Sequence, residues 1–431
     1  ERADLLFHFA RALHYAYDDR REEALVTARD ALLAAGDTDL AAEAEAFLGL
    51  ISWYQGQGEA TRSHLVQATE LTGDSVSPSA ARVLAVAARI REIAFDHAIG
   101  GRLAESALAM AEALGLDEIR AHALTTIGMT KNSLGDTSGI EAIERALELA
   151  LAIDSPIAGT IVNNLAVEAF LTGDLERAED LYGESIRLSQ RLGDREAERF
   201  TETNQTWMEF IRGRWDVALR RADAFIAACD AGAPHANELG VRIIRGQIRL
   251  ARGDADGALA DHLRSLELAR ATDHPSELIP ALSVCAATRA YRGELPEARA
   301  HADEVIETVD ESGIARVLDL VPVAEWLGVR ERLLEALDAN PLKRAVVWRD
   351  AARAGLEGDL VEAADIVSRT GHVTWEAVLR FHAGEQLVEF ERSAEGEAEL
   401  RRALEFFRLV DASYFVERAE ALLARAQRES A

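Results

Sequence analysis

The sequence predicts an all-α chain, an α-solenoid of about ten antiparallel helix pairs stacked in a right-handed superhelix. Three observations predict it. Ala178, Ala218, Ala258 and Ala298 recur at intervals of 40 residues. Each closes a segment with a glycine turn: Leu171-Thr172-Gly173-Asp174-Leu175-Glu176-Arg177-Ala178 is the clearest, and Arg252-Gly253-Asp254, Arg292-Gly293-Glu294 and Arg212-Gly213-Arg214 repeat it. Composition points the same way, with aromatics at 6% and only 8 prolines in 431 residues, while Ala, Leu, Glu and Arg dominate.

The grammar has a physical basis. Glycine ends a helix because it accepts the left-handed backbone there. The Asp or Glu just after it suits the start of the next helix, where N–H groups are unpaired and the dipole is positive. A small residue early in the second helix lets the two helices cross closely.

Small residues recur on both helices at one spacing. Gly246, Ala258 and Ser265 set it; Ala166, Ala178 and Ser185 repeat it after Asn164-Leu165. Gly49, Thr61, Leu65 and Ala68 match it near the N-terminus, and Gly384, Gly396, Leu400 and Ala403 near the C-terminus. On these residues the units resemble tetratricopeptide repeats. The family's usual period is ~34 residues, and here it is 40, which implies longer helices or longer loops.

In chain order the pairs are expected near 2–36, 38–72, 79–114, 117–153, 156–192, 195–231, 235–272, 275–312, 342–371 and 373–410, with a closing helix over 412–428. Gly36-Asp37, Gly73-Asp74, Pro156, Gly193-Asp194, Pro234 and Asp273-His274-Pro275 mark breaks between units. Residues 313–341, with Val321-Pro322-Val323 and Glu325-Trp326-Leu327-Gly328, lack a Gly-turn-Ala unit. They are either a degenerate repeat or a hinge. The expected organisation is an array over 1–312, this break over 313–341, and two further pairs with a capping helix over 342–431.

Arg120-Ala121-His122-Ala123-Leu124-Thr125-Thr126-Ile127-Gly128, Leu134-Gly135-Asp136, Asn163-Asn164-Leu165-Ala166 and the tail Leu400 to Leu423 extend the resemblance. They are similar to the C-terminal repeat domain of actinobacterial signalling ATPases and of class III cyclase or LuxR-type regulators. That resemblance implies a cytoplasmic, regulatory role and an effector or ATPase domain in cis outside this chain. The chain opens at Glu1 rather than Met, and a longer parent protein is expected. A free-standing peptide-sensing adaptor is the alternative, and a homo-oligomer is compatible with either.

The charge of −28 repels phosphate backbones, so nucleic acid is not an expected partner. No apolar run reaches membrane length, and no membrane partner is expected. Lys131 and Lys343 are the only lysines, and neither sits in a GxxxxGK[ST] loop. HExxH, CxxC and GxSxG are likewise missing, and the 11 histidines are scattered. We therefore expect no catalytic residues, no metal site and no cofactor. Cys229 and Cys285, the two cysteines, read as buried thiols.

The expected partner is a protein, a peptide or a small effector, held in the concave groove of the middle repeats at 157–300. Arg242, Arg245 and Arg249 lie on one helical face, a stripe that either takes an acidic ligand or pairs with the chain's own carboxylates. Asn163, Asn164, Asn204 and Trp207 complete the candidate site. For the asparagines the alternative is capping or packing inside a repeat; for Trp207 it is the core.

Overall fold

The computed structural model describes residues 1–94, 96–272, 275–308, 314–339 and 345–429; side chains are described for all of these but 275, 276, 314–316 and 429. Among the described residues every regular element is helical. The pairs run α1 (Arg2–Tyr15) with α2 (Arg21–Ala35), α3 (Thr38–Tyr54) with α4 (Gly58–Thr72), and α5 (Pro78–Ile93) with α6 (His97–Leu114). Next come α7 (Asp117–Ser133) with α8 (Gly139–Ala152), α9 (Ala158–Leu171) with α10 (Leu175–Leu192), and α11 (Arg195–Ile211) with α12 (Trp215–Asp230). Then follow α13 (Glu238–Ala251) with α14 (Ala255–Thr272) and α15 (Pro275–Tyr291) with α16 (Leu295–Thr308).

After these, two 3-10 turns (Ile314–Asp319 and Val321–Val323), a four-residue α17 (Ala324–Leu327) and α18 (Arg330–Ala339) stand where no Gly-turn-Ala unit was read. The pairs α19 (Val346–Leu356) with α20 (Leu360–Ser368) and α21 (Val373–Glu389) with α22 (Ser393–Leu409) follow, and α23 (Ser413–Glu429) closes the chain. The fold is a tetratricopeptide-like array of antiparallel helix pairs, ten of them among the described residues. The break at Asp273-His274, the end of the 275–312 pair and the edges of 313–341 lie outside the described residues.

The register has a visible cause. Gly173, Gly213, Gly253 and Gly293 all sit at φ between +74° and +89°, where a side chain would be strained. After Gly253, Asp254 N donates to Arg249 O at 2.9 Å, and Glu294 N does the same to Arg289 O, the wide closure of a helix ended by glycine. Asp254 then caps the next helix, accepting from Gly257 N at 2.9 Å. The four register alanines are fully buried. Ser185 Oγ donates to Gly159 O at 2.8 Å and Ser265 Oγ to Leu239 O at 3.0 Å. The same small-residue contact thus ties helix B to helix A in two repeats.

By contact the chain divides into two units. The first holds Glu1–Ala169, Glu176–Glu202 and Ala271–Asp273; the second holds Phe170–Leu175, Thr203–Arg270 and His274–Ala431. The first unit's core is a row of small clusters, among them Phe7, Leu25, Leu32, Phe47 and Ile51 between the first two pairs. The start of α11 also returns to these pairs: Phe200 stacks on Trp53 with centroids 6.0 Å apart, and Arg21 meets Glu196 at 3.4 Å.

The second unit departs further from a linear stack, in which each repeat touches only its neighbours. Its last helices fold back across the turns of its first repeats. Trp348 Nε1 donates to Phe170 O at 3.1 Å, Thr374 Oγ1 to Phe210 O at 2.6 Å, and Arg252 Nη2 to Val410 O at 3.0 Å. The physical reason is aromatic burial. Phe210, Trp215, Phe381, Phe407 and Phe415 share one large core, and each ring removes far more apolar surface from water than the alanines of the repeat interfaces.

Candidate functional site

The seven residues read as a site are divided between the two units. Asn163 and Asn164 lie on α9 in the first unit, Asn163 buried and Asn164 half-buried. The other five lie in the second unit. Asn204 is half-buried on α11. Trp207 packs against Phe210 and edge-on to Trp375, with centroids 5.6 and 6.4 Å away, so its ring serves the core.

The arginine stripe converges on one buried carboxylate. Asp261, 2% exposed, accepts from Arg242 Nη1 at 3.3 Å, Arg245 Nε at 2.8 Å and Nη2 at 2.5 Å, and Arg249 Nη1 at 2.8 Å. Glu238 takes Arg242 as well, at 2.6 Å, and Asp223 takes Arg245 at 2.9 Å. With these partners the guanidinium groups of Arg242 and Arg245 are engaged by carboxylates of their own helix and of the neighbouring helices α12 and α14.

What the second unit does hold is a half-open apolar cavity of about 70 Å³, room for several waters. The repeats supply one side: Phe210 and Trp215 at the α11–α12 turn, Gln247, Leu250 and Ala251 of α13, His262 of α14, and Val284, Ala287, Thr288 and Tyr291 of α15. The other side comes from Leu318, Asp319 and Pro322 of the 3-10 turns, Thr374, Trp375, Val378 and Leu379 of α21, and Phe415 of α23. The cavity therefore exists because the last helices fold back.

Most polar groups on this wall are already engaged. His262 Nε2–H donates to Ile243 O at 3.2 Å, which leaves Nδ1 to accept from Thr288 Oγ1 at 2.8 Å. Tyr291 Oη bonds His382 Nε2 at 2.8 Å, and burial pushes its phenol above the ordinary value. Thr374 holds Phe210 O and receives Trp215 Nε1 at 3.2 Å. Two atoms are different. Gln247 Nε2 donates to Asp319 Oδ1 at 2.8 Å, but Gln247 Oε1 is buried with no partner among the described residues, and so is Trp375 Nε1. An unmatched buried group costs about 1–3 kcal/mol, and the residues that line the cavity include one acceptor and one donor in that state, both closed to water.

Gly246 makes this wall possible. A Cβ there would lie 2.3 Å from His262 Nε2, and the ring cannot swing away because both its nitrogens are bonded. Gly246→Ala is expected to lower stability by about 1–2 kcal/mol, overpacking outweighing the gain in helix propensity. Thermal melting checks this; an unchanged or raised melting temperature would contradict the close approach.

The buried histidines set a pH dependence. Burial lowers His262 to about 4, His14 to about 4 and His372 to about 3 from the ordinary 6.5. His372 has a further reason to be neutral: its Nδ1 accepts from Trp375 N at 3.1 Å and caps α21. A histidine pKa lowered by folding gives stability that is complete above pH 6.5 and is lost as pH falls toward 4. Asp194, raised by burial to about 6, acts in the opposite sense over roughly the same range. His122, lowered by burial to about 3, acts with these three, and four groups outweigh one, so melting temperature should drop between pH 7 and 4. His372→Asn, which keeps a cap acceptor, should shallow that drop; a flat or rising profile on acidification would contradict the reading.

Among the described residues no group of His, Cys, Asp and Glu is placed to hold a metal ion, and no helix is long and apolar enough to cross a membrane. Cys229 and Cys285 are buried thiols.

No protein-family model matches the chain, and no curated protein matches it. Solved structures do. The Rap protein complexed with competence and sporulation factor is 12% identical, with a TM-score of 0.46 over 81% of this chain and 99% of that one. NprR in complex with its cognate peptide NprX is 12% identical, with a TM-score of 0.48 over 75% and 94%. A signal transduction ATPase with numerous domains and a tetratricopeptide repeat sensor, from Pyrococcus horikoshii, is 13% identical, with a TM-score of 0.42 over 86% of this chain and 53% of that one.

Proposed function

We propose that the chain is a non-catalytic binding module that takes a peptide or a small effector in its second unit. One observation carries this reading: the folded-back helices and the middle repeats together line a half-open apolar cavity, with Gln247 among the repeat residues and Trp375 among the returning ones. A ligand that engages both would couple α13 to α21, residues that are 128 positions apart in sequence. Occupancy would then alter how firmly the last helices are held, which is how a binding module can report to an attached domain. Such a domain, a signalling ATPase or another effector, would lie outside these residues, since Lys131 and Lys343 form no phosphate loop.

Selection of displayed random peptides on the purified chain tests the reading. The expected result is an enriched sequence that binds the chain with micromolar affinity and a negative heat-capacity change. Its affinity should fall at least tenfold for Val378→Trp, a variant that fills the cavity. Enrichment no better than on an unrelated helical protein, or binding indifferent to Val378→Trp, would contradict it.

A further inference from the structure

We propose that the cavity of the second unit is an anchor pocket for one branched aliphatic side chain, that of a leucine or isoleucine, carried by a peptide. The inference rests on the binding-module reading and names the part of the ligand that enters.

The lining leaves a polar group little to hold. Leu250, Ala251, Val284, Val378, Leu379 and Phe415 present only carbon from their side chains. The polar side chains of the lining are committed elsewhere. His262 uses both ring nitrogens, Tyr291 holds His382, and Thr374 holds Phe210 O. Asp319 is engaged by Gln247 among others. Gln247 Oε1 and Trp375 Nε1 are closed to water, so they offer nothing to a molecule in the cavity.

Water fares no better there. The space of about 70 Å³ has room for several molecules. A buried water is held by about two to four polar partners, and this lining does not supply them. Poorly held waters are displaced with a gain in affinity when the incoming group is apolar. A charged side chain would instead shed its own hydration shell against carbon walls, which is costly without a free partner.

Size narrows the choice to an aliphatic group. A cavity of ~150 Å³ is what benzene fills, and this one has about half that volume. The rings of phenylalanine and tryptophan are too large for it, while the four carbons of a leucine or isoleucine side chain fit. Alanine would leave the walls without contact on one side and forfeit dispersion energy. Because the cavity is half-open, the side chain enters while the peptide backbone keeps its hydrogen bonds outside.

N-acetyl-leucinamide, N-acetyl-phenylalaninamide and N-acetyl-lysinamide are the probes, added to the full chain with carbon-13 labels on its valine methyls. Val378→Ile and Val284→Ile assign the two lining valines, and Val367, outside the lining, is the control. The leucine amide should shift the Val378 and Val284 signals, leave Val367 in place and saturate in the millimolar range, as so small a ligand allows. The lysine and phenylalanine amides should bind at least tenfold more weakly. Val378→Ala enlarges the cavity and should move preference at least tenfold toward the phenylalanine amide. A merely structural valine would alter melting without altering preference.

Lining valines unmoved by the leucine amide in a chain that melts normally would overturn the proposal. So would equal binding of the lysine or phenylalanine amide. An unchanged preference in Val378→Ala, or in Leu250→Ala should the first variant fail to fold, would overturn it as well. Peptide selection separates this failure from that of the wider reading. At one leucine or isoleucine of a selected peptide, replacement by alanine should weaken binding about fiftyfold, three methylene-sized groups at ~0.8 kcal/mol each. Peptides that depend on Val378 but lose less than about threefold at every such position would sink the anchor alone. Failure of the probes and of the selection would sink the two together.

Discussion

Asp261→Ala should destabilise the second unit by about 3–5 kcal/mol, because it removes the one buried carboxylate that three arginines share. Asp261 is 2% exposed, and Arg242 and Arg245 are nearly as enclosed, with side chains 12% and 13% exposed. Glu238 and Asp223 would remain for them, but at different angles, so the guanidinium groups would be left partly unpaired in a poorly solvated place. Asp261→Asn keeps the shape and one acceptor and should cost less. Arg249→Ala should cost least of the three arginine truncations, since its side chain is 35% exposed. Urea unfolding with a constant slope measures each. If Asp261→Ala is neutral, the cluster contributes nothing to stability and the stripe becomes available again as a ligand site.

The second large effect lies at the return of the chain. Trp348 is 1% exposed, stacks on Phe170 with centroids 5.5 Å apart at 24°, and donates to its carbonyl. Trp348→Ala should cost about 3–5 kcal/mol from lost burial and the cavity left behind. Trp348→Phe keeps most of the ring contact and should recover more than half of that. Denaturation with two probes is informative here, because loss of the docked helices before the repeats would separate the transitions. An effect below about 1 kcal/mol for Trp348→Ala would mean that the last helices do not depend on this contact.

The repeat register was legible because its cause is local. Gly253 must be left-handed, Asp254 must cap, and Ala258 must be small, and all three constraints act within a few residues. The fold-back was not legible because it is carried by rings scattered 150 to 200 positions apart, such as Trp215 and Phe406, with no periodic signal. The candidate site suffered from the same limit. Arg242, Arg245 and Arg249 stand out as a stripe in a chain of charge −28, yet Asp261, one helix later, satisfies them. Gln247 sits between Arg245 and Arg249 in sequence and donates instead to Asp319, 72 positions on. Its place on the cavity, and that of Trp375, depends on distant elements, and spacing along one helix carries no trace of that.

Helices 346–429 lie across the turns of the second unit's first repeats, and the cavity has its second wall only because they do. A double-mutant cycle on Trp215 and Phe406, whose rings meet edge-on with centroids 5.7 Å apart, tests it most directly. The single variants Trp215→Leu and Phe406→Leu and their combination are unfolded in urea. The fold-back predicts a coupling energy of about 0.5–1.5 kcal/mol between these two positions. Strict additivity, within about 0.3 kcal/mol, would place the rings apart and contradict both the returning helices and the cavity they close.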